Sequence, residues 1–400
     1  MRYLQLLGLS LVMWGITGCP GPICTCPDLS EDLYAITATI APDGGVQVMS
    51  WVYSHTEYDS YTPLDCSCIS GGFGGTSHRF SPSGQLLWNR SNSYAQVEGN
   101  AINQAVLFDG GQTVFAGYQL AQVGRDYKYF PLVYTLNDSL ETIRYALVED
   151  DPFGEEYDLP QESKRVLALT DNSFLFYGTQ LSGGTIAKKI SAFGEVLWTK
   201  SGEFPFPNGI YALDNGELML TGGTSITKID ANGNEVWSKS IGDEASTTVY
   251  SATNGMDGTL FFAGSVVRGT FETDIIVWET NSEGVVQDSF SITREGCDDS
   301  VHVMYSRFND QLILASRPRP DCAEPQVVRL TLVTRAGEVL GSSTLDLSDK
   351  TYLAGMDMDV DGRFVVAVST NSGRPDERFY GKLFKFYPDF SLDWSKTLWP

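Results

Sequence analysis

Histidine is scarce in this chain: His55, His78 and His302 are the only three in 400 residues. None stands in an H-E-x-x-H or other metal-ligand spacing, and no G-x-S-x-G elbow occurs, so the motif-bearing zinc peptidases and α/β-hydrolases are excluded and each histidine reads as structural or surface. Basic residues are also few, 27 against 50 acidic, for a net charge of −23. That balance argues against nucleic acid and against an anionic lipid surface as a partner of the folded body. Gly71-Gly72-Phe73-Gly74-Gly75 is glycine-rich but is not a phosphate loop, because Ser77 takes the place of the last required glycine. After the amino-terminal apolar run, no segment is long and apolar enough to span a membrane.

What the chain has in quantity is a repeat. Its cleanest copy is Leu213 to Ser240, LDNGELMLTGGTSITKIDANGNEVWSKS. Asp214-Asn215-Gly216 marks a hairpin turn, a short apolar strand ends at Gly222-Gly223, an alternating strand follows, and Asn232-Gly233 turns the chain into a strand centred on Trp237. The position four residues beyond the second turn recurs as Trp88, Ile143, Trp198, Trp237, Asp288, Gly341 and Trp394, spaced 55, 55, 39, 51, 53 and 53 residues. The first turn recurs in the same order, at Asp43-Gly44-Gly45, Asp109-Gly110-Gly111, Asp171-Asn172-Ser173, Asp214-Asn215-Gly216, Asp257-Gly258, Asn309-Asp310 and Asp361-Gly362. A period of this length with several strands per unit is the sequence mark of a β-propeller.

The motif DNGELMLTGG...ITKIDANGNEVWSK resembles the repeat of bacterial PQQ-like β-propellers, whose blades carry a G-x-x-x-W outer strand. The seven recurrences and the resemblance together lead to the expectation of an all-β, seven-bladed propeller of four-stranded antiparallel blades over residues 33–400, although the families named below carry eight blades. Inner strands are expected at Tyr34 to Ile40, Asn103 to Leu107, Val166 to Leu169, Gly209 to Leu213, Val249 to Ala252, Val301 to Tyr305 and Tyr352 to Met358. Quinoprotein dehydrogenases share the repeat type but carry eight blades and often an adjacent Cys-Cys pair. No two cysteines here are adjacent, so PQQ is not expected. The propeller lipoprotein of the outer-membrane barrel-assembly machinery is another relative by resemblance, with eight blades and shorter loops.

Residues 1–18 read as a signal peptide: Met1-Arg2, then an apolar run to Ile16. Ile16-Thr17-Gly18-Cys19 resembles the bacterial lipobox, which implies cleavage before Cys19 and lipidation of its thiol, with 19–32 as a tether. Pro20 in place of Asp points by analogy to the outer membrane of the cell envelope. Six further cysteines, Cys24, Cys26, Cys66, Cys68, Cys297 and Cys322, argue for disulfides in an exported chain. The expected pairs are Cys297 with Cys322, and Cys24 and Cys26 with Cys66 and Cys68. A four-cysteine metal site is the competing reading.

In antiparallel blades, the loop after the second strand and the loop to the next blade emerge on one face. The long insertions 55–76, 121–130, 149–163, 201–207, 317–325 and 371–378 are of these two kinds, so that face is the expected binding surface. Its aromatics are Tyr58, Tyr61, Phe73, Tyr127, Tyr129, Phe153 and Tyr157, with Phe130, Phe204 and Phe206 beside them, all suited to stacking on a sugar or a peptide. The acidic loop Glu149, Asp150, Asp151, Glu155, Glu156 and Asp158 reads as solvated surface. Asp357, Asp359 and Asp361 open like a calcium loop, D-x-D-x-D-G, but Val368 stands where an EF-hand needs its glutamate. The chain therefore reads as a non-enzymatic, lipid-anchored binding or scaffold protein with a protein or carbohydrate partner and no cofactor, calcium at the aspartate string being weighed beside the four-cysteine site.

Overall fold

A computed structural model gives the architecture. It describes residues 30–41, 43–55, 73–92, 100–101, 106–109, 112–123, 126–136, 142–148, 165–169, 171–179, 184–202, 204, 208–213, 215–242, 247–256, 258–268, 273–292, 298–306, 309–318, 327–345, 351–359, 361–371 and 379–398. Every regular element among them is a strand. Six sheets are four-stranded, antiparallel and ordered as in the chain: blade 1 (30–92), blade 2 (165–202), blade 3 (209–240), blade 4 (247–292), blade 5 (298–345) and blade 6 (351–398). Between blades 1 and 2, residues 100–147 form a five-stranded sheet.

Each blade buries both faces of its middle strands because it is sandwiched between neighbours. In blade 3, Leu218–Gly222 is buried throughout and Ser225–Ile229 nearly so, whereas the outermost strand Glu235–Ser240 is almost wholly exposed. Inter-blade cores follow one another round the disc. Phe174 and Phe176 of blade 2 pack on Val114 and Val133 of the five-stranded sheet. Leu175 and Tyr177 meet Leu218 and Leu220 of blade 3. Met219 and Ile226 meet Phe262 and Trp278 of blade 4. The disc closes where Val46, Val48 and Phe80 of blade 1 pack on Val365, Ala367 and Leu383 of blade 6. First strands of neighbouring blades touch one another, which places them nearest the axis.

Both short turns of blade 3 use one five-residue geometry. In the second turn of blade 3 the Asp230 amide donates to the Asn234 carbonyl at 2.9 Å and the Gly233 amide to the Asp230 carbonyl at 3.0 Å. Gly233 adopts φ +78° there, which only glycine takes without cost. The Asp230 carboxylate caps the turn by accepting from the Asn232 and Asn234 amides. Ser191, Asn281 and Asp359 cap their turns in the same way.

Immediately after each second turn the ladder slips by one residue. Lys189 faces Trp198, but Ile190 faces Val196, so Leu197 is an extra residue on the outer strand. This β-bulge turns both Val196 and Leu197 to solvent and aims Trp198 at the next blade. There the indole N–H donates to the Ala231 carbonyl at 3.0 Å, and the ring lies where a Cβ on Gly233 would sit. The clasp repeats from Trp237 to Ser282 and Gly284, and from Trp394 to Pro82 and Gly84 across the closure.

Several expectations are corrected. Seven four-stranded blades were expected, and six are found. In the sheet over 100–147 the inner strand is split into Asn100–Ala101 and Val106–Asp109, both laid along the twelve-residue strand Gln112–Val123, which is too long for either alone. In that sheet the residue in the tryptophan position is Arg144, opposite Thr135, and Ile143 is the bulged residue. In blade 4 the slot holds Asp288, and Phe290 two residues on supplies the ring beneath Gly337. Residues 121–130 are not a loop: all but 124–125 continue a β-hairpin, Gln112–Val123 paired with Asp126–Leu136. The disulfide expectation is withdrawn: among the described residues there is no disulfide, and all seven cysteines lie outside them.

The clasp distinguishes two glycines with nearly the same backbone. Gly216→Ala meets nothing within 4 Å and should cost only the positive φ, about 1 kcal/mol. Gly233→Ala also drives a methyl to 2.8 Å from the Trp198 ring and should cost about 2–4 kcal/mol. Urea unfolding midpoints of the two variants should separate accordingly; equal midpoints would remove the clasp as a structural determinant.

Candidate functional site

The third strand of four blades places a cation opposite the tryptophan: Arg79 by Trp88, Lys189 by Trp198, Lys228 by Trp237 and Lys385 by Trp394. All four cations are buried. A buried ammonium or guanidinium needs a partner, and the first turn of the same blade supplies it for three of them. Arg79 meets Asp43 at 2.6 Å, Lys189 meets Asp171 at 2.7 Å and Lys228 meets Glu217 at 2.5 Å. Lysines also reach the next blade: Lys189 to the Ala231 carbonyl at 3.3 Å, Lys228 to Ser282 at 3.4 Å and Lys385 to Gly44 at 2.7 Å. Lys385 has no exposed surface, and burial lowers its pKa. The Gly45 amide and the Arg79 guanidinium hold Asp43 below the usual carboxylate range. Blade 4 inverts the arrangement, with Glu279 in the third strand bonded to Arg335 from the second turn of blade 5.

Between blades 3 and 4, on the short-turn face, these groups border an open cleft of about 490 Å³. One wall is the first turn of blade 3 with Asn215 and Glu217, the back is Lys228, and the other wall is the first turn of blade 4 with Asn254 and Met256. Gly255 and Gly258 stand in the blade 4 turn, and a Cβ on Gly255 would come within 2.7 Å of the Phe261 ring. Asn215 bonds Glu217 through both its oxygen and its nitrogen. The Asn254 amide has no side-chain partner among the described residues, and it lines the same space.

The residues expected on the long-loop face are placed as follows. Phe73 begins the third strand of blade 1, opposite Tyr53. Tyr127 and Tyr129 stand in the hairpin opposite Gln122 and Leu120. Phe130 is buried within its strand, opposite Gln119, and Phe204 packs edge-on against Tyr177 with ring centroids 6.4 Å apart. Tyr58, Tyr61, Phe153, Tyr157, Phe206, the acidic loop 149–158 and Cys19 lie outside the described residues. Asp357 accepts from the Ile40 amide of blade 1 at 2.7 Å and from Met358 at 2.9 Å, Asp359 caps its turn, and Asp361 is exposed. Among the described residues no three His, Cys, Asp or Glu side chains gather as a metal site. The cleft between blades 3 and 4 was not anticipated from the sequence.

No family model matches the chain, and no curated protein matches it. Among solved structures it is similar to the β-propeller domain of the Trilobed protease from Pyrococcus furiosus, at 10% identity over 93% of this chain and 97% of that one, TM-score 0.49. It is similar also to the Neurospora crassa Pan2 WD40 domain, at 10% identity over 84% and 92%, TM-score 0.48. A third is a protein of unknown function from Dyadobacter fermentans, at 9% identity over 88% and 97%, TM-score 0.45. The chain is a β-propeller on the evidence of its own radially packed sheets. At these identities and scores the likenesses assign neither ligand nor reaction.

Two buried titratable groups flank the closure and oppose each other. Burial pushes the Asp357 carboxyl up to about 6, so its contribution to stability falls as pH rises from about 4 to about 6. Burial holds the His78 imidazole, stacked 6.4 Å from Phe80, down at about 4, so its contribution is lost as pH falls from about 6.5 toward 4. Asp357→Asn should therefore raise stability at pH 7 by about 1–2 kcal/mol and leave a profile that only declines on acidification. Chemical denaturation at pH 4, 5, 6 and 7 measures this, and an unchanged profile in the variant would refute the assignment.

Proposed function

We propose that this protein is a non-enzymatic binding protein of the bacterial cell envelope, lipid-anchored through Cys19, in which the propeller disc holds a partner rather than converting it. The observation that carries this reading is the state of the charged groups around the cleft. Lys228 is neutralised by Glu217 and spans to the Ser282 carbonyl, so a group that could move a proton is tied into the frame. Catalytic acids and bases need a side chain poised to exchange its proton with substrate, and here the pair is already mutually satisfied. What is left toward solvent is a shaped surface on a rigid scaffold, which suits recognition.

The address rests on Ile16-Thr17-Gly18-Cys19 and the apolar run before it. An acidic body on a lipid tether would stay off anionic headgroups and face the periplasmic or external phase. Metabolic labelling with a radiolabelled fatty acid, followed by fractionation of wild type and Cys19→Ala, tests the address. Wild type should carry label and sediment with membranes, and the variant should do neither. Unlabelled wild type, or membrane association unchanged in the variant, would refute it.

A further inference from the structure

Resting on the binding reading above, we propose that the cleft between blades 3 and 4 is a carbohydrate subsite for a neutral, hydroxyl-rich ring, such as one pyranose unit of a glycan. Its volume of about 490 Å³ lies within the range of small-molecule sites. The polar groups converge from three directions. The Asn254 amide brings one donor and one acceptor with no side-chain partner among the described residues, a match for two adjacent hydroxyls. Glu217 uses one carboxylate oxygen for both Lys228 and Asn215, and its other oxygen remains as an acceptor. Lys228 adds the remaining donor capacity of its ammonium at the back.

The charge state selects among ligands. Lys228 and Glu217 cancel at 2.5 Å, so an anionic or cationic ligand would have to compete with an ion pair already formed around a buried ammonium. A hydroxyl, which both donates and accepts, can join the pair without breaking it. Met256 is 40% exposed at the mouth and offers a soft apolar surface to the C–H face of a ring. The turn that bears it also lines the space with Gly255 and Gly258.

The test uses the full chain, purified in detergent, on a glycan array that displays neutral, sialylated and sulfated oligosaccharides, with titration calorimetry against the best hit. Asn254→Leu removes the amide and fills the space; Met256→Asp changes the apolar mouth without touching the ion pair. Both positions line a turn, and thermal melting establishes that each variant is folded. The expected result is retention of neutral glycans by wild type and at least a tenfold loss of affinity in both folded variants. Failure to retain any glycan, retention of anionic glycans only, or wild-type affinity in both variants would overturn the proposal. Fatty-acid labelling of Cys19 is read separately, so a failed array leaves the envelope address standing and a failed labelling leaves the subsite standing.

Discussion

An indole laid against a glycine whose Cβ would meet the ring is the constraint from which the disc is built. At three blade boundaries a tryptophan of one outer strand donates its N–H to the turn of the next blade, at 3.0, 3.1 and 3.0 Å, and covers the glycine of that turn. Sheet faces packed by aliphatic side chains alone slide readily, since dispersion and burial have little directional preference. The indole bond has direction, and the glycine sets how closely the neighbour may approach. Together they fix both the height and the spacing of adjacent blades at the rim, while the aliphatic cores between them supply most of the favourable free energy.

The bulge beside the clasp explains two features that look unrelated. By giving the outer strand one extra residue, it turns the tryptophan inward and leaves two preceding aliphatics outside, as with Leu86 and Leu87, Val196 and Leu197, or Val339 and Leu340. An outermost strand is an unpaired edge, and a bulge at its start twists that edge away from flat pairing with another chain. The same local geometry brings the third-strand cation under the indole, where the ammonium shares the carbonyl that the indole uses: Ala231 for Lys189 and Trp198, Ser282 for Lys228 and Trp237. Lysine in this setting is a strut, and its charge is a cost offset by the turn acid. For that reason the buried cations do not by themselves mark a reaction centre.

Much of this was legible in the sequence because the clasp needs particular residue types at particular offsets. Tryptophan four residues beyond a glycine turn is such a signal, and it located the outer strands of blades 1, 2, 3 and 6. The inner strands expected at Gly209 to Leu213, Val301 to Tyr305 and Tyr352 to Met358 also fall inside observed strands or within a residue of them. Where the residue type changes, the frame misleads: Phe290 does the work of tryptophan from two positions further on, and Arg144 takes the slot in the five-stranded sheet. The carboxylates of Asp357 and Asp359 show a further limit. A D-x-D-x-D-G string carries the same letters whether the aspartates converge on a cation or cap a turn and bridge two blades, and only the amides from Ile40, Asp361 and Arg363 tell them apart. The cleft was invisible for another reason, since its lining comes from turns and strands of two different blades that are far apart in sequence.

Closure poses the same problem as any other boundary, and the molecule solves it with the same parts. Blade 6 takes all four strands from residues 351–398 and blade 1 all four from 30–92, so among the described residues no strand is shared across the junction. A junction of that kind must be held by side chains. Trp394 clasps Pro82 and Gly84, Lys385 reaches Gly44, and Asp357 accepts the Ile40 amide, all directed from the last blade to the first. Two of these three contacts bury an ionisable group, and burial lowers the pKa of Lys385 and raises that of Asp357. A buried carboxylate that accepts a backbone amide gives a contact whose strength depends on its charge, and charge is costly to hold where water is excluded. The junction therefore trades some stability for directional bonds that specify which blade meets which, and it does so at the one boundary where chain connectivity provides no register.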